Sequence, residues 1–452
     1  MTARQYILPL AHELVVDLFA GGGGASTGIE RALGRHVDIA VNHDPEAVSL
    51  HQANHPQTEH HVSNVWEVDP RVVCAGRPIG LLWASPDCTY HSKARGGKPH
   101  RDRNKARRRR GLAGIVVKWV RQLQPTGQHP RVICLENVEE FQHWGPLLED
   151  GTPCPQRRGS TFQRWVAQLA NLGYAVEWRE LRACDFGTPT IRKRLFLVAR
   201  RDGRPIVWPQ PTHADPKHAR AKGLQPWRTA ADCIDWSLPC PSIFERERPL
   251  ADATLRRIAH GVMRYVVNAA KPYIVRIGHT GHGDGGKVRA ADQPLSTITS
   301  KAEHCLVAAF LAKHYTGVVG SDLAAPLGTV TTVDHHSLVQ AFLTAYYGSD
   351  QDTPLHDPLH TVTTKPRFAL VTVNGVPHEI TDIGMRMLQP RELYRAQGFP
   401  DAYQIERGAD GRTLSKAAQV RMCGNSVCPP LAQALVRVNY AEQANQQERK
   451  AA

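Results

Sequence analysis

Between residues 13 and 200, short apolar runs alternate with stretches patterned for helices. Leu14-Val15-Val16-Asp17-Leu18-Phe19 reads as a buried strand. Val37 to Val41 reads as a second, and Ile79 to Trp83, Val132 to Leu135 and Leu195 to Ala199 as three more. Helices are expected from Gly24 to about Leu33 and at about 111–124 and 160–172. A strand that is apolar on both faces has to be covered on both faces, so this alternation implies a parallel α/β sheet between helical layers. The first strand runs straight into Ala20-Gly21-Gly22-Gly23-Gly24, where the first helix opens. Such a loop places backbone N–H groups at a helix N-terminus, a natural cofactor seat. It does not fit Gly-x-Gly-x-x-Gly, because Gly21 and Gly23 would require a glycine where Ser26 stands, and a nicotinamide reading weakens accordingly.

From about Asp202 the character changes. Proline, histidine and threonine rise, and one helix is expected at about 251–267, with Leu255, Ile258, Val262 and Val266 on one face. An internal repeat follows. Pro294-Leu295-Ser296-Thr297-Ile298-Thr299, Pro326-Leu327-Gly328-Thr329-Val330-Thr331 and Pro358-Leu359-His360-Thr361-Val362-Thr363 stand at a constant interval of 32 residues. Leu-Val follows each at one offset (306–307, 338–339, 370–371), and Ile274-Val275 sits one period upstream. Thr-β-branched-Thr alternation suits strands, so the region reads as a β-rich module. After about Thr381 the α/β character returns, with a short helix opening at Pro390 and a last helix from Leu431 to Val438 packing back on the first domain. The expected domains are 1–205 completed by 410–452, and 206–409 carrying three 32-residue repeats.

The formal net charge is +14 and the pI about 9.5, which favours a polyanionic partner. Ten Lys or Arg stand between His91 and Arg110 against one acid, Asp102, so this run is expected to be a phosphate-gripping loop. Ten cysteines with no Cys-x-x-Cys pair argue against a zinc knuckle and a disulfide framework. The start lacks a signal-peptide hydrophobic region and no apolar run reaches membrane-spanning length, so a reducing cytoplasm is the simplest home.

Trp83-Ala84-Ser85-Pro86-Asp87-Cys88-Thr89 puts a cysteine after a proline turn at the end of an apolar run. In chain order it stands after the loop Asp17 to Gly24 and before Leu135-Glu136-Asn137-Val138 and Gly187-Thr188-Pro189-Thr190-Ile191-Arg192-Lys193-Arg194. Leu388 to Pro400 and Gln419 to Val427, with Gly424-Asn425-Ser426-Val427, complete the set. Together these motifs resemble the DNA cytosine-5 methyltransferase family. The resemblance covers the chain except for about 206–380. It implies a Rossmann-like S-adenosyl-L-methionine-dependent methyltransferase fold with a second, smaller β-rich target recognition domain.

The same resemblance implies roles. Cys88 would add to C6 of a cytosine, Glu136 would face N3 and the exocyclic amine, Arg192 would reach O2 and Arg194 would organise the catalytic loop. S-adenosyl-L-methionine would be held by Asp17, Phe19, Ala20, Gly21, Gly23, Asn64, Pro86, Asn425 and Val427, with Asp44 or Asn42 on the ribose; no metal is implied. The chain departs from the family pattern at four places. Asp87 and Thr89 replace the second proline and the glutamine of Pro-Pro-Cys-Gln, Thr190 replaces a glutamine, Asn64 an aspartate, and Asp44 or Asn42 a glutamate. A carboxylate at Asp87 would tend to raise the neighbouring thiol's pKa, so Arg192, Arg194 or the basic run has to offset it.

The expected reaction is DNA (cytosine-5-)-methylation of a base flipped from the duplex, by a monomer in the cytoplasm of a prokaryote or a phage-infected cell. Double-stranded DNA is the partner, no membrane is involved, and a companion restriction endonuclease is compatible with this assignment. The rivals are a tRNA cytosine-5 methyltransferase and a catalytically inactive DNA-binding homologue. Sequence choice is expected within about 206–380, with His335, His336 and Lys365 as candidate base readers.

Overall fold

The computed structural model describes residues 13–87, 91, 102–262 and 390–441, and within 263–389 the segments 273–276, 288–290, 304–313, 320–332, 336–345, 370–373 and 376–389. Cys88, His335, Lys365 and the first and third repeat copies lie outside the described residues. Two compact units are present. One draws on Met1–Arg228, Pro326–Val333 and Pro390–Ala452, the other on Thr229–Ala325 and Asp334–Gln389. The first unit runs past residue 205 because Thr212–Trp227 stays tied to it. The Thr212 N–H donates to the Asp185 carbonyl and Trp227 Nε1 to Asp185 Oδ1, both at 2.9 Å.

The first unit is built on seven strands: β1 (Leu14–Leu18), β2 (Ile39–Asn42), β3 (Glu59–Val62), β4 (Ile79–Ala84), β5 (Val132–Asn137), β6 (Ala175–Arg182) and β7 (Lys193–Arg200). Their order is β3-β2-β1-β4-β5-β7-β6. The expected wholly parallel sheet is corrected at one end. β1 to β5 are parallel, but β7 runs antiparallel to both β5 and β6. The connection Ala183–Arg192 is too short for a crossover helix, so β7 returns as the antiparallel neighbour of β6.

Alternation within β1 explains its double burial. Leu14, Val16 and Leu18 join one cluster with Ile115, Trp119 and Phe162, whereas Val15 joins a second with Ile29, Leu431 and Leu435. Each such leucine contributes about 2 kcal/mol by leaving water. The helices that cover the faces include α1 (Gly24–Leu33), α2 (Pro45–Asn54), α3 (Pro70–Cys74), α4 (Arg103–Arg110), α5 (Gly114–Leu123), α6 (Ser160–Asn171) and α7 (Pro216–Ala219). The strands β8 (His213–Ala214) and β9 (Gln225–Pro226) form a small parallel pair beside α7. The later part of the basic run, Arg103–Arg110, is thus a helix rather than a loop, while 92–101 lie outside the described residues.

The second unit holds α8 (Asp252–Val262) and an antiparallel sheet. Its strands are β10 (Tyr273–Arg276), β11 (Val288–Ala290), β12 (His304–Lys313), β13 (Gly320–Asp322), β14 (His336–Ala345), β15 (Leu370–Val373) and β16 (Val376–Met387). The order is β11-β10-β12-β14-β16-β15, with β13 on β12. Each Leu-Val of the repeat, and Ile274-Val275, falls inside a strand: β10, β12, β14 and β15. The described Pro-Leu-x-Thr copy does not: Pro326–Thr331 is extended chain outside the strands. His336 is buried at the first position of β14, 3 % exposed, so it is not the loop-borne base reader expected.

The chain closes through α9 (Pro390–Ala396), α10 (Lys416–Asn425) and α11 (Pro429–Val436). α11 lies on α1, where a side chain at Gly28 would run into the Pro429 carbonyl.

Candidate active site

The parallel strands β1 to β5 end at one edge, and the order reverses between β1 and β4. Open α/β sheets bind ligands at such a switch point. A cavity of about 640 Å³ lies there, lined by Phe19 after β1, Asn42 and His43 at the end of β2, and Asn64, Val65 and Trp66 after β3. Asp87 after β4 and Arg108, Arg109, Gly111 and Leu112 between α4 and α5 close the lining. Of the residues expected to hold a cofactor, Phe19, Asn42 and Asn64 therefore reach the cavity. His43, Trp66 and Leu112 were not foreseen. Trp66, exposed at a loop, carries no motif signal, and only strand order brings it to the wall.

The two ribose candidates separate. Asp44 caps α2, accepting the Glu46 N–H at 3.0 Å, and lies 3.2 Å from Arg421 Nη2. Asn42 lines the cavity while its Oδ1 accepts the Asp44 N–H at 2.9 Å. Asn64 Oδ1 accepts the Trp66 N–H at 3.2 Å, so it both shapes its loop and faces the cavity.

The glycine loop turns sharply. Phe19, Gly21 and Gly23 all have left-handed φ (64°, 53° and 86°). At Gly23 a side chain would also collide with the Tyr403 hydroxyl, which donates to the Gly22 carbonyl at 2.6 Å. Ala20 is buried beside it. Val427 is buried too, and its carbonyl meets Gly24 so closely that no Cβ fits there. Asn425 is exposed at the end of α10.

Beneath the loop runs a buried polar chain. Ser26 Oγ donates to Asp17 Oδ2 at 2.7 Å and lies 3.0 Å from His51 Nε2, and His51 Nδ1 lies 2.8 Å from His60 Nε2. Asp17 Oδ1 has no hydrogen-bond partner among the described residues. Burial pushes the Asp17 carboxyl up to about 7, against the opposing Ser26 bonds. Burial and the neighbouring His55 and His60 hold the His51 imidazole well below its usual value, so it stays neutral at physiological pH.

A stability test follows from Asp17. A carboxyl raised above its unfolded value supports folding below that unfolded value and costs stability as pH rises through the folded one. The wild type should therefore lose stability between about pH 4 and 7, by a few kcal/mol at most at about 1.4 kcal/mol per pKa unit. Asp17→Asn keeps an acceptor for Ser26 but has no charge to bury. Its Tm should change less between pH 5 and pH 9 than the wild-type Tm; an equal change in both would assign the pH dependence elsewhere.

Of the expected catalytic groups, Glu136, Arg192 and Arg194 come together at the end of β5. Glu136 is 6 % exposed, with Oε1 3.4 Å from Arg194 Nε. Burial raises its carboxyl pKa, opposed by Arg194 and then Arg192. Arg192 is 3 % exposed, and its Nη1 donates to the Val330 and Gly424 carbonyls, each at 3.1 Å. Thr190 Oγ1 accepts the Arg192 N–H at 3.3 Å. Lys193, between the two arginines, points elsewhere and bridges Glu139 and Glu180 at 2.8 and 2.6 Å.

The turn leading to Cys88 is held from two sides. Asn137 Nδ2 donates to the Pro86 carbonyl at 3.0 Å, and Arg109 Nη1 donates to Asp87 Oδ2 at 2.8 Å. The basic run thus supplies a cation beside Asp87. Arg110 serves the fold instead: it is 4 % exposed, donates to the Gly145 carbonyl at 3.1 Å, and has its pKa pushed down to about 10 by burial. It is not a phosphate contact. Another thiol, Cys428, feels Arg192, Arg194 and Glu136, but burial pushes it up to about 11, so it stays protonated and a poor nucleophile. Among the described residues no cluster of His, Cys, Asp or Glu could hold a metal ion, and no helix is long and apolar enough to cross a membrane.

Comparison with known proteins bears on this arrangement. The model of the C-5 cytosine-specific DNA methylase family matches residues 14–238 and 313–439. The type II methyltransferase M.AquIA of Picosynechococcus sp. is 26% identical over 235 residues, 49% of this chain and 87% of that protein. The type II methyltransferase M.SacI of Streptomyces achromogenes is 29% identical over 221 residues, 45% of this chain and 52% of that protein. The chain spans about half the length of M.SacI, and likewise 52% of M1.HphI of Haemophilus parahaemolyticus. Among solved structures, the Entamoeba histolytica methyltransferase EhMeth aligns with a TM-score of 0.50 at 14% identity, over 96% of this chain and 99% of that one, a likeness of fold.

Proposed function

The chain belongs to the C-5 cytosine-specific DNA methylase family, and from that premise we propose that it methylates C5 of a cytosine flipped out of duplex DNA. The observation that carries this reading is the buried Glu136 beside Arg194, at the same sheet edge as the anchored turn before Cys88 and the 640 Å³ cavity.

The cavity fits S-adenosyl-L-methionine in size and chemistry. Phe19 and Trp66 offer rings, Asn42 a ribose partner and Asn64 an amide for the adenine amine, while the orphaned Asp17 Oδ1 marks polar capacity beneath the glycine loop. When bound there, that cofactor supplies an electrophilic methyl group.

The residues do the rest. The Cys88 thiolate adds to C6, and the electron pair displaced from the C5–C6 bond would otherwise load N3 and O2 with charge. Glu136, whose carboxyl burial shifts toward the protonated form, would donate at N3, and Arg192 and Arg194 favour the charge that develops. C5 becomes nucleophilic and would take the methyl group as its bond to sulfur breaks, the electron pair staying on sulfur as a neutral thioether. Loss of the C5 proton to solvent water, return of the N3 proton to the Glu136 carboxylate and expulsion of the Cys88 thiolate restore the aromatic ring. Base flipping is required because the stacked duplex hides the ring faces. The second unit would read the sequence, and Arg108 and Arg109 would meet phosphates without choosing bases. The type II naming of its relatives supports a modification role beside a companion restriction endonuclease in the cytoplasm.

Bisulfite sequencing of DNA from cells expressing the chain, beside labelled methyl transfer to duplex DNA and to tRNA, tests the proposal. Protected cytosines in a recurrent sequence are expected. Label entering only tRNA would move the substrate, and no transfer to either would favour an inactive DNA-binding homologue.

A further inference from the structure

The middle repeat copy stands apart from its module. The chain before it forms β13 and the chain after it forms β14, both in the second unit, yet Pro326–Val333 belongs to the first unit. It lies parallel to the segment that leads into β7. The Leu327 N–H donates to the Pro189 carbonyl at 3.0 Å, the Ile191 N–H to the Leu327 carbonyl at 2.8 Å, and Thr190 Oγ1 to the Gly328 carbonyl at 3.3 Å. Two residues on, the Val330 carbonyl takes Arg192 Nη1 at 3.1 Å, sharing it with the Gly424 carbonyl. The far side is closed as tightly, because a side chain at Gly424 would run into the Thr331 backbone.

Burial along this segment matches what the three copies share. Leu327 and Val330 are 1 % and 0 % exposed, and Pro326 is buried. The corresponding residues are Pro, Leu and a β-branched aliphatic in every copy. Gly328, half-buried, occupies the position that varies, with serine at 296 and histidine at 360. The slot therefore buries the shared Pro, Leu and β-branched positions, whereas the shared Thr329 is half-buried like the varying Gly328. Arg192 gains from this a fixed guanidinium: Nη1 is held by two carbonyls, while its buried Nε has no hydrogen-bond partner among the described residues.

We infer that the middle repeat copy is a strap whose Pro-Leu-x-Thr-β-branched-Thr pattern docks beside residues 189–192 and positions Arg192 for the cytosine. This rests on the proposed methyltransferase reading. A conjugated ring sliding by about 1 Å can cost on the order of 100-fold in rate, so loosening one side of the guanidinium clamp should appear in turnover more than in cofactor binding.

The test uses the full chain. Leu327→Ala removes the buried anchor of the strap without touching Arg192. It should lower kcat and the rate of covalent trapping by 5-fluorocytosine DNA by about 10- to 100-fold, per folded molecule, with KM for S-adenosyl-L-methionine unchanged. Gly328→His, which writes the third copy's pattern into the slot, should fall far less than Leu327→Ala. In an Arg192→Ala background, Leu327→Ala should add less than about twofold, because a strap that acts through Arg192 has nothing left to position. If Leu327→Ala does not fold, Gly424→Ala presses the strap away from the other side and is read in the same cycle. Additive losses, or a kcat per folded molecule equal to wild type, overturn the inference while leaving the methyltransferase reading intact. A wild-type chain inactive on every DNA tested overturns both.

Discussion

Cys88→Ser should lower methyl transfer by more than about 10³-fold while leaving binding to duplex DNA within a few-fold of wild type. A serine hydroxyl at neutral pH is a far weaker nucleophile than a cysteine thiolate, and loss of a covalent nucleophile removes the whole two-step route. The two residues just before it are anchored. Pro86 is tied by its carbonyl to Asn137, and Asp87 is paired with Arg109. The second of these contacts answers the charge that Asp87 places next to the thiol. DNA carrying 5-fluorocytosine should trap the wild type covalently, because fluorine cannot leave as the C5 proton does. An adduct that forms equally with Cys88→Ser would assign the nucleophile elsewhere. Cys428 is a poor substitute, since it is 1 % exposed and burial pushes it up to about 11.

Glu136→Gln should cost about 10²- to 10⁴-fold in kcat, the usual worth of a positioned general acid. Glutamine keeps the shape and a donor, but it cannot hand over a proton. The sign of the pH effect is set by burial, which raises the Glu136 carboxyl and outweighs Arg194 and Arg192. A raised carboxyl keeps its proton to higher pH, so the step that uses this proton weakens as pH climbs through the folded value. The wild-type kcat profile should therefore show an alkaline fall that Glu136→Gln lacks. The same fall in both enzymes would place the titrating group elsewhere, and a loss below tenfold would reduce Glu136 to a hydrogen-bonding role.

Much of this site is written in local sequence. The strand β1, the glycine loop and α1 from Gly24 to Leu33 follow from an apolar run that ends in residues able to take left-handed φ. Glu136, Arg192 and Arg194 were identifiable by motif, and strand pairing brings two of them to 3.4 Å. The strands β3 and β6 were not legible. Their residues alternate polar and half-exposed positions at the two sheet edges, so neither shows a continuous apolar run. The basic run offers no apolar periodicity for a helix, and α4 is identified by its backbone hydrogen bonding rather than by its residues.

The chain's own order of residues determined the class of fold and the glycine-rich turn and nominated the proposed reactive groups, because strand burial, backbone freedom and side-chain chemistry are properties of neighbours a few positions apart. Tertiary structure alone decided which candidates meet. Asn42 faces the cavity while Asp44 caps a helix, Arg109 takes Asp87 while Arg110 is buried under Gly145, and Trp66 joins the wall. It also decided that the middle repeat copy packs in the first unit and holds Arg192. Local pattern is the same in all three copies, so that choice rests on contacts between residues 138 positions apart in the chain.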